Sequence, residues 1–483
     1  MTAAADAPAQ GPIDSVADGA TGTAASSAEK AFGWRFISPL LLGSTLNPIN
    51  SSMIATALVG IGVDFHMGPG TTAALISVLY LCSAVMQPTM GKLAVVFGPR
   101  RVFIAGLVIL LVAGAVGAAA PAFGFLLLSR ALIGVGTSAA YPTAMALVRE
   151  RADRLRTGVP SRVLGNFSIA SQVVTVVGLP LGGLLAGAFG WRAIFLVNVP
   201  VALITLVFTY VGVAREPARP RKNVRELATT VDLIGIALFA GTIVSLLLFL
   251  SGLRAPTWWL LPLTGVLGTA LVRWERRASS PLIDVRMLAR NRVLLRTYLR
   301  QAMSSLGVYT ALYGTSQWME QAAHYNASQV GLILLPLSAV SIVIARFVSN
   351  HGWVRVPLLL AGVSMLLTGV VMLSANHTSN VLVLLAMSVL FGLANGFSGF
   401  ANQATLYVQA PAEEIAVASG LYRTFAYFGA IFSSSLIGIA FGNAATDAGF
   451  HAVAFVIVGI GVVLLLMVVL DRGIPGKADE GDR

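Results

Sequence analysis

Residues 101–120 read RVFIAGLVILLVAGAVGAAA, an apolar run in which Arg101 is the only charged residue. Twenty residues of α-helix are about 30 Å long, which matches the hydrocarbon thickness of a lipid bilayer. The sequence therefore predicts an all-α membrane protein with fourteen transmembrane helices, because such runs recur at 37–62, 71–94, 101–120, 122–147, 163–187, 191–213, 232–252, 257–274, 301–319, 328–348, 356–374, 381–403, 416–441 and 450–470.

The composition of the 483-residue chain argues against a soluble protein. Hydrophobic residues make up 56% and charged residues 11%, whereas a typical soluble chain is about 25% charged. The net charge of +12 does not indicate nucleic-acid binding, because the basic residues stand between apolar runs. The chain has no phosphate-binding G-x-x-x-x-G-K-[ST] motif, and no pair of its five histidines has metal-ligand spacing. We therefore expect no enzyme, no ATP-driven pump, no metal and no cofactor.

The basic residues predict how the chain is oriented in the membrane. Alternate loops, within 149–162, 215–225 and 273–296, contain clusters of arginine, whereas the loops between them contain only Arg192 and Arg254. Cytoplasmic loops collect Lys and Arg. We therefore expect a multi-pass protein of the cytoplasmic (inner) membrane, with both termini in the cytoplasm.

Twelve of the fourteen runs fall into two halves of six, with one pair inserted between them. A weak internal repeat supports this division, since Gly134 and Gly136 in the fourth run correspond to Gly392 and Gly396 in the later half. We predict five segments: a disordered cytoplasmic tail at 1–34, a six-helix bundle at 35–214, a loop and the inserted pair at 215–277, a second six-helix bundle at 278–471, and a cytoplasmic tail at 472–483.

Three motifs lie in the N-terminal half. Arg130 begins the segment RALIGVG, residues 191–200 read WRAIFLVNVP, and Gly178, Gly182 and Gly183 lie in the fifth run. These resemble the R-x-x-x-G-x-G, W-R-x-x-F-x-x-N-x-P and G-P-x-x-G-G motifs of the major facilitator superfamily, and within it of the fourteen-helix drug:proton antiporters. The resemblance implies two six-helix bundles plus two inserted helices, and the export of drugs in exchange for protons.

The chain departs from the family pattern at several positions. The proline of the fifth-helix motif is Pro180, one place later than in the family, and Asn50 stands where the family has an aspartate. Gly91 and Arg101 belong to a segment that resembles the loop motif after helix 2, but valines at 95–96 replace its Asp and the following Arg. From the resemblance we expect conformational change to depend on Gly178, Pro180, Gly182, Gly183, Gly91 and Arg101.

Polar residues recur along one side of several predicted spans. Tyr309 and Tyr313 share a helix face, and tyrosine combines apolar area with a hydroxyl group that suits amphipathic ligands. Amide side chains need partners in a membrane, so such stripes face either a cavity or a neighbouring helix. Both alternatives stay open for each stripe. We predict a substrate cavity formed by Asn47, Asn50, Ser51, Gln172, Tyr309, Tyr313, Gln317, Asn395 and Asn402.

Arg130 and Arg423 lie inside predicted spans, where an ionised side chain is costly. Arginine does not deprotonate in proteins, so each arginine either lowers the pKa of a neighbour, binds an anionic group or holds backbone carbonyls. No Asp or Glu lies at the predicted midplane, and Glu320 and Asp64 near the outer ends are the candidates to carry a proton. We predict coupling or charge relay at Arg130, Glu320 and Arg423. The missing carboxylates favour a neutral or anionic substrate over a cationic one.

The sequence thus predicts a secondary transporter that exports drugs or hydrophobic and amphipathic metabolites with proton coupling. The alternative is a weakly coupled or uncoupled transporter, for export or uptake, of a specific neutral or anionic metabolite. The expected partners are a small-molecule substrate, the lipid bilayer and protons, with no nucleic acid, and we expect a monomer. A sensor would need a soluble output domain and a channel a repeated filter, and the sequence shows neither.

Overall fold

The computed structural model describes residues 32–67, 69–216, 230–252, 256–325, 327–442 and 445–478. Most of the two predicted tails lies outside these ranges. The described residues contain eighteen α-helices: α1 (Trp34–Met53), α2 (Leu58–Asp64), α3 (Pro69–Phe97), α4 (Pro99–Ala118), α5 (Phe123–Ser138), α6 (Ala140–Arg154), α7 (Ser161–Phe189), α8 (Arg192–Leu196), α9 (Asn198–Gly212), α10 (Leu233–Ser251), α11 (Leu260–Glu275), α12 (Val285–Arg290), α13 (Arg292–Gln321), α14 (Ala327–His351), α15 (Arg355–Ser374), α16 (Val381–Gln409), α17 (Ile415–Phe441) and α18 (Asp447–Leu470).

The described helices form fourteen rods and confirm the predicted all-α architecture. Three rods contain an interruption: α1 and α2 are joined by the 3₁₀ turn Ile54–Ala57, α5 and α6 meet at Ala139, and α8 and α9 meet at Val197. The short helix α12 precedes α13 and is not a rod of its own. Within the described ranges, ten helical segments are long and apolar enough to cross a membrane.

Helix α13 is longer than the predicted span 301–319, because it begins at Arg292. The side chain of Asn291 accepts a hydrogen bond from the backbone N–H of Leu294 at 3.0 Å, which caps the helix. The polar first turns then find partners inside the protein, since Arg296 lies 2.9 Å from the Asp471 carboxylate after α18. Hydropathy alone misses these turns because their charges are paired within the protein.

The inserted pair, α10 and α11, packs against the seam between the two halves. Helix α10 contacts α3 of the first half (α1–α9) and also α17 of the second half (α13–α18). Phe239, Ile243 and Leu247 of α10 are buried in this packing. The pair is therefore attached to both bundles rather than to one of them.

The halves approach each other most closely on the side where α1 begins and α18 ends, here called the terminal side. A Cβ atom at Gly91 of α3 would lie 2.5 Å from the carbonyl oxygen of Ala416. A Cβ atom at Gly420 of α17 would lie 2.5 Å from the carbonyl oxygen of Gln87. Only glycine permits such a contact between two backbones. The seam between α3 and α17 is thus closed toward the terminal side.

Candidate substrate cavity

A cavity of ≈ 150 Å³ lies between the two halves. Its described wall comes from α7 of the first half and from α13, α14, α16 and α17 of the second. The wall combines hydroxyl and amide groups with aliphatic side chains, among them Ser168, Ser305, Asn395, Val308, Leu312 and Leu337. This mixture suits a ligand that has both a polar and an apolar part.

Arg423 is the only charged residue among the described residues that line this cavity. Its Cζ atom lies 4.0 Å from the ring centroid of Tyr141, which belongs to α6 of the other half. Its Nε atom is buried and has no hydrogen-bond partner among the described residues. The cavity therefore has one fixed positive charge that a ring face stabilises only in part.

Four tyrosines, Tyr80, Tyr309, Tyr313 and Tyr427, form an aromatic cluster next to the cavity. The ring centroids of Tyr80 and Tyr427 lie 5.7 Å apart, as do those of Tyr309 and Tyr313. The hydroxyls of Tyr80 and Tyr313 form a hydrogen bond between the halves. Tyr313 is nevertheless 44% exposed, so the cluster is only partly enclosed by the described residues.

Asn47 connects this cluster to the first half. Its Nδ2 atom donates to Ser83 Oγ at 2.8 Å and to Thr137 Oγ1 at 2.9 Å. Its Oδ1 atom accepts from the Tyr427 hydroxyl at 2.8 Å. The amide thus has partners on α3, α5 and α17, and it forms part of the contact between the halves.

The structure brings together several of the residues predicted for the cavity. Tyr309 and Asn395 line it. Asn47, Tyr313 and Ser51 lie next to it, and Ser51 forms a hydrogen bond with Tyr80. The side chain of Gln172 lies outside the described part of the structure.

Asn50 does not face the cavity. It is fully buried in the first half, where its Nδ2 donates to Asn198 Oδ1 at 2.6 Å and Asn198 Nδ2 donates back to Asn50 Oδ1 at 3.0 Å. Asn198 is the asparagine of the WRAIFLVNVP segment. The asparagine at the family's aspartate position, Asn50, therefore contacts the asparagine of the W-R-x-x-F-x-x-N-x-P motif, Asn198.

Arg130 holds backbone carbonyls, one of the three roles considered for it. Its Nε donates to the carbonyl of Leu75 on α3 at 2.9 Å, and its Nη1 donates to the carbonyl of Asn50 on α1 at 3.2 Å. The side chain is 1% exposed, and its Nη2 has no described partner. Arg130 thus joins three helices of the first half.

Three further predicted residues lie away from the cavity wall. Asn402 is buried in the second half, where its Oδ1 accepts from Arg300 Nε at 2.7 Å. Gln317 and Glu320 are exposed near the end of α13, on the side opposite the terminal side. Asn402 therefore pairs with a buried charge, and Glu320 is a surface carboxylate.

The motif glycines divide into two groups. A Cβ atom at Gly178 would lie 2.5 Å from the Cβ atom of Ser52, so α7 and α1 are in close contact there. Gly182 is buried, whereas Gly183 has open space around it. The side chain of Pro180 lies outside the described part of the structure. The described residues therefore show a close helix contact at Gly178 and none at Gly183.

Arg101 lies at the start of α4 and forms an ion pair with Glu216, in which its Nε is 3.7 Å from Oε2. The Oε1 atom of Glu216 accepts from the backbone N–H of Arg100 at 2.6 Å. Glu216 therefore caps α4 from the end of the first half.

A polar cluster on the terminal side joins the inserted pair to α3. Lys92 Nζ donates to Ser280 Oγ at 2.9 Å and to the carbonyl of Pro281 at 2.6 Å. Asp232 and Glu275 lie close to this lysine. Burial, and after it the negative charge of Asp232, raises the pKa of the Glu275 carboxyl to about 7. Glu275, just beyond the apolar part of α11, is thus an ionisable group near neutral pH.

Sequence reasoning missed Tyr80, Tyr141 and Tyr427. Each lies within an apolar run and has no second tyrosine three or four residues away, which is the spacing that singled out Tyr309 and Tyr313. A mid-span tyrosine needs a partner for its hydroxyl, and that requirement is the signal that was available.

Three comparisons with known proteins agree with this architecture. The family model described as Major Facilitator Superfamily matches residues 40–434. The uncharacterized MFS-type transporter YwoD of Bacillus subtilis is 32% identical over 447 residues, which cover 90% of this chain and 96% of the relative. The multidrug resistance protein Stp of Mycobacterium tuberculosis (strain CDC 1551 / Oshkosh) is 28% identical over 413 residues, 82% of this chain and 74% of the relative.

Among solved structures, the MFS proton:xylose symporter XylE bound to 6-bromo-6-deoxy-D-glucose is similar to this chain with a TM-score of 0.63. The identity is 14%, and the match covers 93% of this chain and 98% of the symporter. At this identity the likeness concerns the fold alone.

Proposed function

The chain belongs to the major facilitator superfamily, and from this premise we propose that it exports drugs or amphipathic metabolites by alternating access. The observation that carries the proposal is the cavity between the halves, which is closed toward the terminal side by Gly91 and Gly420. A site between two bundles is what a rocking motion exposes to each side of the membrane in turn. The name of the mycobacterial relative supports a drug-like substrate.

The terminal side is the cytoplasmic side in this proposal. The arginine-rich loops lie there, and the cytoplasmic ends of transmembrane helices collect Lys and Arg. A C-terminal green fluorescent protein fusion is then fluorescent, and an alkaline phosphatase fusion at the same position is inactive. The transporter works as a monomer in the cytoplasmic membrane, since its cavity is complete within one chain.

The proton gradient is the first candidate for the driving force. Asp64 and Glu320 are the candidate proton carriers, because both lie at the ends of helices on the side opposite the terminal side. Asp64 Oδ2 accepts from Trp191 Nε1 at 2.7 Å and lies 3.5 Å from Arg192 Nη1. Protonation of this carboxylate removes the negative charge that attracts Trp191 and Arg192. It would therefore affect the contact between α2 and α8.

The second candidate function is weakly coupled or uncoupled transport of a specific neutral or anionic metabolite. It is favoured by the cavity itself, because the described wall has a fixed cation, Arg423, and no carboxylate. A cationic drug and a proton compete for a carboxylate in the simplest antiport scheme, and this wall provides none. The two candidates differ in what they predict when the proton gradient is removed.

The test measures accumulation of cationic, neutral and anionic fluorescent compounds in pump-deficient bacteria that express the protein. Proton-driven export lowers accumulation of some compounds, and a protonophore restores it. A Gly420→Leu variant is the matched inactive control, because a leucine cannot fit against the carbonyl of Gln87. Broad export would be rejected if the compounds accumulated equally in cells that express the protein, in cells that express this variant and in cells that express neither.

A further inference from the structure

The charge of the central cavity restricts what it can bind. Arg423 lies in α17 five residues, about 8 Å, from the midpoint of that helix, and it is the only charged residue of the described wall. No ion pair within the described ranges involves it. Its Nε is buried without a hydrogen-bond partner among the described residues, and its Cζ lies 4.0 Å from the ring centroid of Tyr141.

A guanidinium without an ion-pair partner is unfavourable in a cavity shielded from bulk water, and arginine cannot remove the cost by losing its proton. A fixed protein carboxylate would neutralise it, but the described wall contains none. An anionic ligand supplies the missing charge, and a guanidinium binds a planar or tetrahedral oxyanion through two parallel hydrogen bonds. The cavity is therefore complementary to an anion.

The other residues of the wall favour a ligand with an apolar, aromatic part. Val308, Leu312 and Leu337 are aliphatic, and Tyr309 presents a ring stacked on Tyr313. Flat aromatic groups pack well on such surfaces. Serine and amide side chains donate hydrogen bonds to the oxyanion without changing the net charge of the wall.

We propose that the central cavity binds an amphipathic organic monoanion, with its carboxylate or sulfonate on Arg423 and its aromatic body on Tyr309 and the aliphatic wall. This rests on the proposed export function and names its substrate class. Export of a monoanion moves negative charge outward, so the membrane potential, inside negative, favours it. Each 100 mV changes the equilibrium accumulation ratio of a monoanion by about 50-fold. The substrate then carries the transported charge itself, and the described wall needs no carboxylate.

The experiment uses the purified full chain in liposomes at equal pH on both sides. The probes are radiolabelled 2-naphthalenesulfonate and 2-naphthoate, with 2-naphthylmethylamine as the cation of matched shape. A valinomycin–potassium potential, positive inside, drives accumulation of both anions, and reversal of its sign abolishes accumulation. Arg423→Gln lowers the initial rate at least tenfold, and Arg423→Lys retains an intermediate rate because the charge remains without the planar fork. Arg292→Gln, at an exposed arginine, leaves the rate unchanged.

The outcomes separate this proposal from export in general. Transport of the amine without either anion overturns the anion site and leaves export standing. Absence of transport for all probes, together with equal accumulation in the cell assay, overturns the export function itself. Anion transport that is unchanged in Arg423→Gln overturns the assignment of the charge to Arg423. The comparison of the anionic probes with the cationic probe uses the wild-type protein alone. A folding defect in a variant therefore does not affect that comparison.

Discussion

Asn50 stands where the resembling antiporters have a carboxylate, and its partners explain what an amide does there. It donates to the carbonyl of Leu46 at 2.8 Å and to Asn198 Oδ1, while its own Oδ1 accepts from Asn198 Nδ2. An ionised carboxylate only accepts, so it would leave two acceptors without a donor. Asn50 therefore serves the packing of the first half, and Arg130 extends that packing through its bond to the Asn50 carbonyl.

At this scale we expect Asn198→Ala to destabilise the protein by about 1–3 kcal/mol, because the buried Asn50 amide loses its donor and its acceptor together. Equilibrium unfolding in mixed SDS micelles measures the change in the free energy of unfolding. Thr205→Ala is the matched control, since Thr205 is equally buried on α9 but its hydroxyl bonds only to Val201 of the same helix. Equal losses for the two variants would show that the amide pair contributes nothing of its own.

The direction in which Asn50 points was not predictable from its spacing alone. Asn47 and Asn50 are three residues apart, which places them about 60° apart around the helix axis. That difference is enough to turn one amide toward Tyr427 and the other toward Asn198. The partners of Arg130 are backbone carbonyls, which have no sequence signature. The polar stripe indicates that Asn47 and Asn50 need polar partners, and it leaves open which neighbours provide them.

At the scale of elements, Asp232 fixes the inserted pair to the chain that follows it. It adopts a left-handed backbone conformation, with φ 61°, and caps α10 through the backbone N–H of Gly235 at 3.0 Å. The same carboxylate accepts from Trp274 Nε1 at 2.8 Å and from the backbone N–H of Leu282 at 3.1 Å. Leu282 lies in the segment that follows α11, so these bonds hold the end of α11 beside the start of α10.

Glu275 gives this element a dependence on pH. Its native pKa of about 7 exceeds the ordinary value of 4.5, so between these values the folded chain binds a proton that the unfolded chain has released. Stability from this carboxyl is present below pH 4.5 and is lost as the pH rises through 7. We expect Glu275→Gln to raise the melting temperature more at pH 8 than at pH 5, as measured by differential scanning fluorimetry in detergent.

The neighbours of Glu275 define the control for this prediction. Asp232 repels its carboxylate, and Lys92 attracts it. Glu413→Gln removes an exposed carboxylate on the same side and leaves the melting temperature unchanged at both pH values. A rise that is identical at pH 5 and pH 8 for Glu275→Gln would contradict the raised pKa.

The number of helices was predictable because hydropathy reports contact with lipid. All fourteen rods coincide with predicted runs, even α11, which has only 16 residues. Helix ends were less predictable where charges are paired inside the protein, as for Arg296 and Asp471 at the start of α13. The interruptions at Ile54–Ala57 and Ala139 leave the hydropathy unchanged, so composition does not reveal them.

In the whole molecule, the two halves meet on the terminal side through small residues and a few polar bonds. Tyr407 of α16 donates to the carbonyl of Met145 at 2.6 Å, and Thr424 of α17 donates to the carbonyl of Ala84 at 2.7 Å. Also on the terminal side, Gly165 of α7 is in close contact with Ser349 of α14. Alternating access requires all of these contacts to separate when the cavity opens toward the terminal side.

A disulfide between Gly165→Cys and Ser349→Cys, in a Cys82→Ser background that removes the only native cysteine, should therefore stop transport. The contact between α7 and α14 permits the bond to form, and the bond then prevents the halves from separating. Vesicle transport is measured before oxidation, after oxidation and after reduction, and we expect activity to be lost and regained. The pair Gly106→Cys with Ala139→Cys is the control, because a Cβ at Gly106 would lie 2.5 Å from that of Ala139 and both residues belong to the first half, so this bond does not join the two halves. If the oxidised Gly165–Ser349 pair transported at the unoxidised rate, this contact would not separate during the cycle, and the proposed rocking of one half against the other would be wrong.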